Sequence, residues 1–118
     1  MIRISSVAVI IVALAAVLLY AQEKQTTKIT GFLIDNMCAT GKDDKDKEHP
    51  VSCALMPKCE ASGYAVVSND TVYKLDDQGN KLAVKIIKAT KTKKGLAVNV
   101  EGTVVNGTLQ VDSMAEVE

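Results

Sequence analysis

The stretch LAVNVEGTVVNGTLQVDSM, residues 96–114, decides the fold class. On both sides of Asn106-Gly107, apolar and polar residues alternate with the two-residue period of a half-buried strand. An Asn-Gly pair between two such runs is the strongest short-range hairpin signal, because both residues accept positive φ. The sequence therefore predicts an antiparallel pair of strands over residues 96–105 and 108–114.

A helix is predicted before this hairpin, over residues 80–91 (NKLAVKIIKATK). Asn80 is an acceptable helix cap, and the helical repeat separates an apolar face from a basic one. The apolar face carries Leu82, Ala83, Ile86, Ile87 and Ala89, and the basic face carries Lys81, Lys85, Lys88 and Lys91. The pattern favours a surface helix packed on a sheet, although the run LAVKII is also compatible with a strand.

Three further strands are predicted toward the N-terminus. Tyr64–Ser68 and Thr71–Leu75 are β-rich runs separated by Asn69-Asp70, a pair typical of a hairpin turn. Residues 28–35 (KITGFLID) form the third candidate. Gly31 within that run indicates a bulge or the close approach of another backbone.

The chain between the first two predicted strands divides into two parts. Residues 40–48 (TGKDDKDKE) are almost free of apolar groups, which predicts a solvated loop. Residues 50–62 (PVSCALMPKCEAS) are predicted to be helical, since Pro50 suits the first helical position and Gly63 suits the end. Pro57 removes one helical hydrogen bond, so we expect a kink or two short helices.

The predicted order is strand, helix, strand, strand, helix, strand, strand. This order resembles the OB-fold, a five-stranded barrel with a helix between its third and fourth strands, here with an extra helix between the first two. The stretch DNMC…HPVSCALMPKCEASGY is also similar to small exported bacterial proteins of this architecture that have no assigned function. The resemblance implies a mainly β domain with two helices over residues 28–118, carrying a Cys/His insertion at 36–63, and fold alone implies no particular function.

A targeting segment is predicted before this domain. Residues 7–21 (VAVIIVALAAVLLYA) contain no charged side chain and follow Arg3, which is the pattern of a secretory signal. Extended back to Ile4, the run approaches the length of a membrane-spanning helix. Residues 1–21 are therefore predicted to be a hydrophobic helix that serves as a cleaved signal peptide or a retained membrane anchor, followed by a linker at 22–27.

Both alternatives place the domain outside the cytoplasm, because positive charge at the short end holds that end inside. With cleavage the protein would be secreted or periplasmic. Without cleavage it would contact the membrane through residues 4–21, with the domain outside.

Charge and aromatic content exclude nucleic acid as an expected partner. The chain has 14 Lys and Arg and 14 Asp and Glu, and of these only Arg3 precedes Ala21. The part of the chain after Ala21 therefore carries 13 lysines and 14 acidic residues and is nearly neutral. A nucleic-acid binder needs surplus positive charge and flat surfaces for stacking. Beyond the N-terminal segment the aromatic residues are Phe32, Tyr64 and Tyr73.

The residues that could carry chemistry are three cysteines and one histidine, all within the 22 residues 38–59. If the first two strands pair antiparallel, the helical segment folds back over their joined ends and gathers the sulfurs. Disulfides persist outside the cytoplasm. Cys38 bonded to Cys53 or to Cys59 would close a loop of about 15–21 residues and add about 3 kcal/mol of stability.

A metal site is the second interpretation. One disulfide uses two of the three cysteines and leaves the third thiol unexplained. The predicted ligands are Cys38, His49, Cys53 and Cys59. Three sulfurs and a nitrogen suit zinc, and soft sulfur also suits cuprous copper, for which Met37 or Met56 could be a weak ligand.

A thiol enzyme is the alternative from another class, with Cys53 as nucleophile and His49 as its base. Two features weigh against it: the chain has no C-x-x-C pair, and no Asp or Asn is obviously placed to orient the histidine. The acidic groups of residues 43–48 suggest calcium ligands, but the stretch lacks the glycine of a calcium loop and interleaves lysines. The sequence thus favours a non-enzymatic domain that is stapled by a disulfide or binds zinc or copper.

Overall fold

The computed structural model describes residues 26–118. The predicted signal peptide or anchor at 1–21, and all but the end of the predicted linker at 22–27, lie outside these residues. Within residues 26–118 no helix combines the length and the apolar character needed to cross a bilayer.

The described chain is a small mixed α/β domain whose strands follow the predicted order. Its elements are β1 (Thr27–Asp35), α1 (Asp43–Asp46), a 3-10 helix (Val51–Leu55), α2 (Pro57–Ser62), β2 (Tyr64–Ser68), β3 (Thr71–Leu75), α3 (Asp77–Ala89), β4 (Ala97–Val105) and β5 (Thr108–Glu116).

The five strands close into a barrel-like ring in the order β1-β2-β3-β5-β4. All neighbours are antiparallel except β3 and β5, which run parallel. β1 closes the ring by pairing with β4 along its first part and with β2 from Phe32 onward. A Cβ on Gly31 would collide with the carbonyl of Val67, so the predicted close approach of another backbone at Gly31 is confirmed.

Both predicted hairpins are confirmed, and their turns have the predicted chemistry. Asn69 and Asp70 have φ of 50° and 59°, and Asn106 and Gly107 have φ of 51° and 80°. Two consecutive residues of positive φ match the right-handed twist of paired strands.

Helix α3 packs one face against the ring, burying Gly79, Ala83 and Ile87. The prediction that Asn80 caps it is wrong: the cap is Asp76, whose carboxylate accepts a hydrogen bond from the Gly79 N–H at 2.9 Å. The helix therefore begins earlier, and Asn80 lies inside it.

The helical part of the insertion is two short helices, as Pro57 predicts. The 3-10 helix ends at Leu55, and Pro57 opens α2, where its missing N–H costs no helical bond.

The prediction of a solvated loop at residues 40–48 is wrong in one respect. Asp46 is buried, at 1 % exposure. Its carboxylate accepts hydrogen bonds from the Thr40 hydroxyl at 2.8 Å and from the N–H groups of Thr40 and Gly41 at 3.1 and 3.2 Å. Three donors thus satisfy one buried charge, and the turn is built around it.

Replacing Asp46 with alanine should lower the free energy of unfolding by about 2 kcal/mol, because it leaves buried donors without partners. Urea denaturation measures this loss. Asp44→Ala is the matched control, since the Asp44 side chain is 98 % exposed, and it should change stability by less than about 0.5 kcal/mol. Equal losses in the two variants would contradict this role for Asp46.

Glu116, at the end of β5, forms hydrogen bonds with the segment that follows α3. Its carboxylate accepts hydrogen bonds from the hydroxyls of Thr90 at 2.6 Å and Thr92 at 2.7 Å. These bonds lower the pKa of Glu116 below its usual value of 4.5.

The stability that Glu116 adds should be fully present above pH 4.5 and should disappear as pH falls through its lowered pKa, since protonation weakens both bonds. Chemical denaturation of the wild type and of Glu116→Gln should therefore differ at neutral pH and converge in acid. A difference in unfolding free energy between the two proteins that grows on acidification would contradict this role of Glu116.

Candidate metal centre

The candidate site lies where the insertion leaves and rejoins the sheet. Asp35, the last residue of β1, pairs with Tyr64, the first residue of β2. The Asn36 N–H donates to the Gly63 carbonyl at 2.9 Å, and the Asn36 amide donates to the Ser62 carbonyl at 2.8 Å. The two ends of the insertion are thus joined, and the chain between them folds over the end of β1.

Three ligand atoms meet at this point. One carboxylate oxygen of Asp35 and the Sγ atoms of Cys38 and Cys59 lie within 4.8 Å of one another. Asp35 and Cys59 are buried, and Cys38 is half-buried.

A tight turn after β1 brings Cys38 to Asp35. The Cys38 N–H donates to the Asp35 carbonyl and to its Oδ2, both at 3.1 Å. Asp side chains favour such local bonds to nearby N–H groups. Cys59 comes from the middle of α2, so the cluster joins two parts of the chain that are distant in sequence.

The Asp35 carboxylate is only partly satisfied. Its exposure is 0 %, and its Oδ1 has no hydrogen-bond partner in the described part of the chain. The His49 Nε2, which is charged only when the ring is protonated, lies 3.7 Å from Oδ1. Buried charges are normally paired closely or coordinate a metal, so this oxygen is the clearest sign of a ligand.

His49 is held beside Asp35 by the strand-like chain at residues 93–95. The His49 carbonyl accepts from the Gly95 N–H at 3.1 Å, and the Val51 N–H donates to the Lys93 carbonyl at 2.9 Å. The His49 side chain is 15 % exposed. The expectation that no acidic residue is placed to orient the histidine is therefore wrong, because Asp35 lies beside it.

Both thiols of the cluster resist ionisation. Burial, and after it the neighbouring Asp35 carboxylate, raises the pKa of Cys38 to about 11. Burial and the charge of Asp35 also raise the pKa of Cys59. A cation at this site would have to displace thiol protons, as metal binding to cysteine generally does.

The structure brings together some of the predicted site residues. Cys38 and Cys59 lie close without a bond between them, and all three cysteines are free. His49 lies beside Asp35, which is one of the three clustered residues. Cys53 lies outside the set within 4.8 Å. The four-ligand set Cys38, His49, Cys53 and Cys59 stays a prediction.

Asp35 is the site residue that the sequence analysis missed. It ends an apolar strand and stands three residues before Cys38. An Asp that closes a strand and can bond the N–H of a following cysteine is a detectable signal, but its complete burial depends on the insertion folding back.

No protein-family model, curated protein or solved structure matches this chain.

In reduced, metal-free protein, Cys38 should react with iodoacetamide more slowly at pH 7.5 than a free cysteine, because its pKa is about 11. Asp35→Asn removes the negative charge and should speed the reaction at Cys38, whereas Asp44→Asn should not. Peptide mass spectrometry resolves the cysteines. Faster alkylation of Cys38 than of free cysteine would contradict the described environment.

Proposed function

We propose that this protein is a non-enzymatic, extracytoplasmic domain of OB-like architecture whose insertion binds a thiophilic metal ion, zinc or cuprous copper. The observation that carries the proposal is the buried Asp35 Oδ1, which has no hydrogen-bond partner in a carboxylate that lies beside two thiol sulfurs. The ligands are Asp35, Cys38 and Cys59.

The donor set fits these ions on chemical grounds. Zinc accepts thiolate, imidazole and carboxylate ligands in a tetrahedron, and cuprous copper favours soft sulfur. His49, 3.7 Å from the Asp35 carboxylate, is the proposed fourth ligand. A bound cation would neutralise the buried carboxylate.

The OB-like architecture and the location are part of the proposal. The strand order β1-β2-β3-β5-β4, with α3 between β3 and β4, supports the OB-like description. The apolar residues 4–21 support export, either as a cleaved signal or as an anchor in the membrane. The near-neutral charge supports a ligand other than nucleic acid.

A disulfide staple is the second candidate, and the proximity of Cys38 and Cys59 favours that pairing over Cys38 with Cys53. A bridge would leave the Asp35 oxygen without a partner, however, and so would not explain the buried carboxylate. Metal binding accounts for both observations.

The thiol-enzyme alternative has less support. The raised pKa values of Cys38 and Cys59 argue against these two cysteines as nucleophiles, and the predicted nucleophile is Cys53. Within the described residues, His49 pairs with Asp35 and makes no hydrogen bond to Cys53.

Protein purified under reducing conditions should contain about one zinc or copper ion per chain by elemental analysis. Cys59→Ser should weaken metal binding by at least about a hundredfold, since loss even of a supporting partner costs ten- to a hundredfold. Asp35→Asn should weaken it as well.

Cys53→Ser is the matched control, because it removes a neighbouring thiol outside the close cluster. It should retain most of the metal. Protein that binds neither ion and carries a Cys38–Cys59 disulfide by mass would overturn the proposal in favour of the staple.

A further inference from the structure

Two methionines stand at the surface beside the candidate metal centre. Met37 immediately precedes Cys38, and Met56 is the residue before α2, three positions ahead of Cys59. Their exposures are 62 % and 55 %. Together with Pro57, Lys58 and Cys59 they line one surface concavity of about 440 Å³. We call Met37 and Met56 the methionine lip.

The exposure of these side chains needs a reason. Methionine is usually buried, where its flexible chain fills gaps in a core. Met114, the third methionine in the described range, is half-buried and packs against the core. Single exposed apolar residues are common, but these two share their concavity with a cysteine of the metal cluster.

We propose that the bound ion is cuprous copper and that Met37 and Met56 hold it at the surface as it passes to and from Cys59 and Cys38. This inference rests on the proposed function and specifies its ion. Thioether sulfur is a soft ligand suited to cuprous copper, whereas zinc sites in proteins are built from cysteine, histidine and carboxylate. A path lined by thioethers therefore discriminates between the two candidate ions.

The transfer is a ligand exchange with no change of oxidation state. The cuprous ion leaves the thioether sulfurs and forms bonds to the Cys59 and Cys38 sulfurs. Each thiol loses its proton to solvent as its bond to the ion forms. On release, the two thiols regain protons and the ion returns to the lip.

The Asp35 carboxylate also favours a cation at this site, independently of the methionines. It is fully buried and close to both sulfurs. Its charge attracts a cation from the concavity toward the thiols. The methionine lip thus collects the ion, and the Asp35 carboxylate favours its retention at the thiols.

The test uses the full chain, reduced and free of oxygen, in detergent micelles. Cuprous ion is presented as its coloured bicinchoninate complex, and the loss of colour reports transfer to the protein. The double variant Met37→Leu/Met56→Leu should take up copper about tenfold more slowly or more weakly, the scale on which loss of a supporting group weakens a metal site. Its zinc affinity, measured with a coloured zinc chelator, should equal that of the wild type.

Met114→Leu is the matched control and should take up copper as the wild type does. Leucine keeps the volume and apolar character of methionine, so a concavity that merely docks an apolar partner would be unaffected by the double variant. As a direct readout, the methyl NMR signals of Met37 and Met56 should shift when copper is added, whereas the Met114 signal should not.

The outcomes separate the two proposals. A wild type that binds neither copper nor zinc would overturn the proposed function and this inference together. A wild type that binds metal through Cys59, but whose double variant takes up copper at the wild-type rate with unshifted methionine signals, would overturn the methionine lip alone.

Discussion

The burial of one carboxylate, Asp35, is the constraint on which the candidate site depends. The residue ends β1 and pairs with Tyr64, so the closed ring fixes its backbone. Its side chain is then enclosed by the insertion, with one oxygen bonded to the Cys38 N–H and the other without a partner. A buried, half-satisfied charge is costly unless an ion or a proton compensates it.

The rest of the fold makes that burial possible. The ring gives β1 two neighbours, and the close approach at Gly31 lets it pass from β4 to β2. The buried hydroxyl of Tyr64 donates to the Ala54 carbonyl at 2.8 Å, which ties the 3-10 helix of the insertion to the sheet. A rigid scaffold beneath a long connection is the usual arrangement of a binding site. Here the connection contributes the two cysteines and the histidine.

Local chemistry predicts much of this structure. The hairpin turns follow from Asn69-Asp70 and Asn106-Gly107, because few other residues accept positive φ. Pro57 correctly predicts two short helices. By contrast, the cap of α3 was misplaced because Asp76 and Asn80 are both suitable residues, and the choice depends on Asn80 accepting the Tyr64 N–H at 2.9 Å.

Long-range burial is what the sequence does not reveal. Asp35 and Asp46 both look like surface acids by residue type, yet both are buried in the folded chain. The sequence predicts that Cys38 and Cys59 belong to one site, but it predicts a ligand set without a carboxylate. The position of His49 beside Asp35 likewise depends on the contacts with residues 93–95.

X-ray absorption at the metal edge of zinc-loaded, reduced protein tests the central claim most directly. Two sulfur atoms are expected at about 2.3 Å, together with lighter oxygen or nitrogen ligands at about 2.0–2.2 Å, the usual zinc distances. A metal shell that contains no sulfur would contradict this claim, since the ion would then be bound elsewhere than at Cys38 and Cys59.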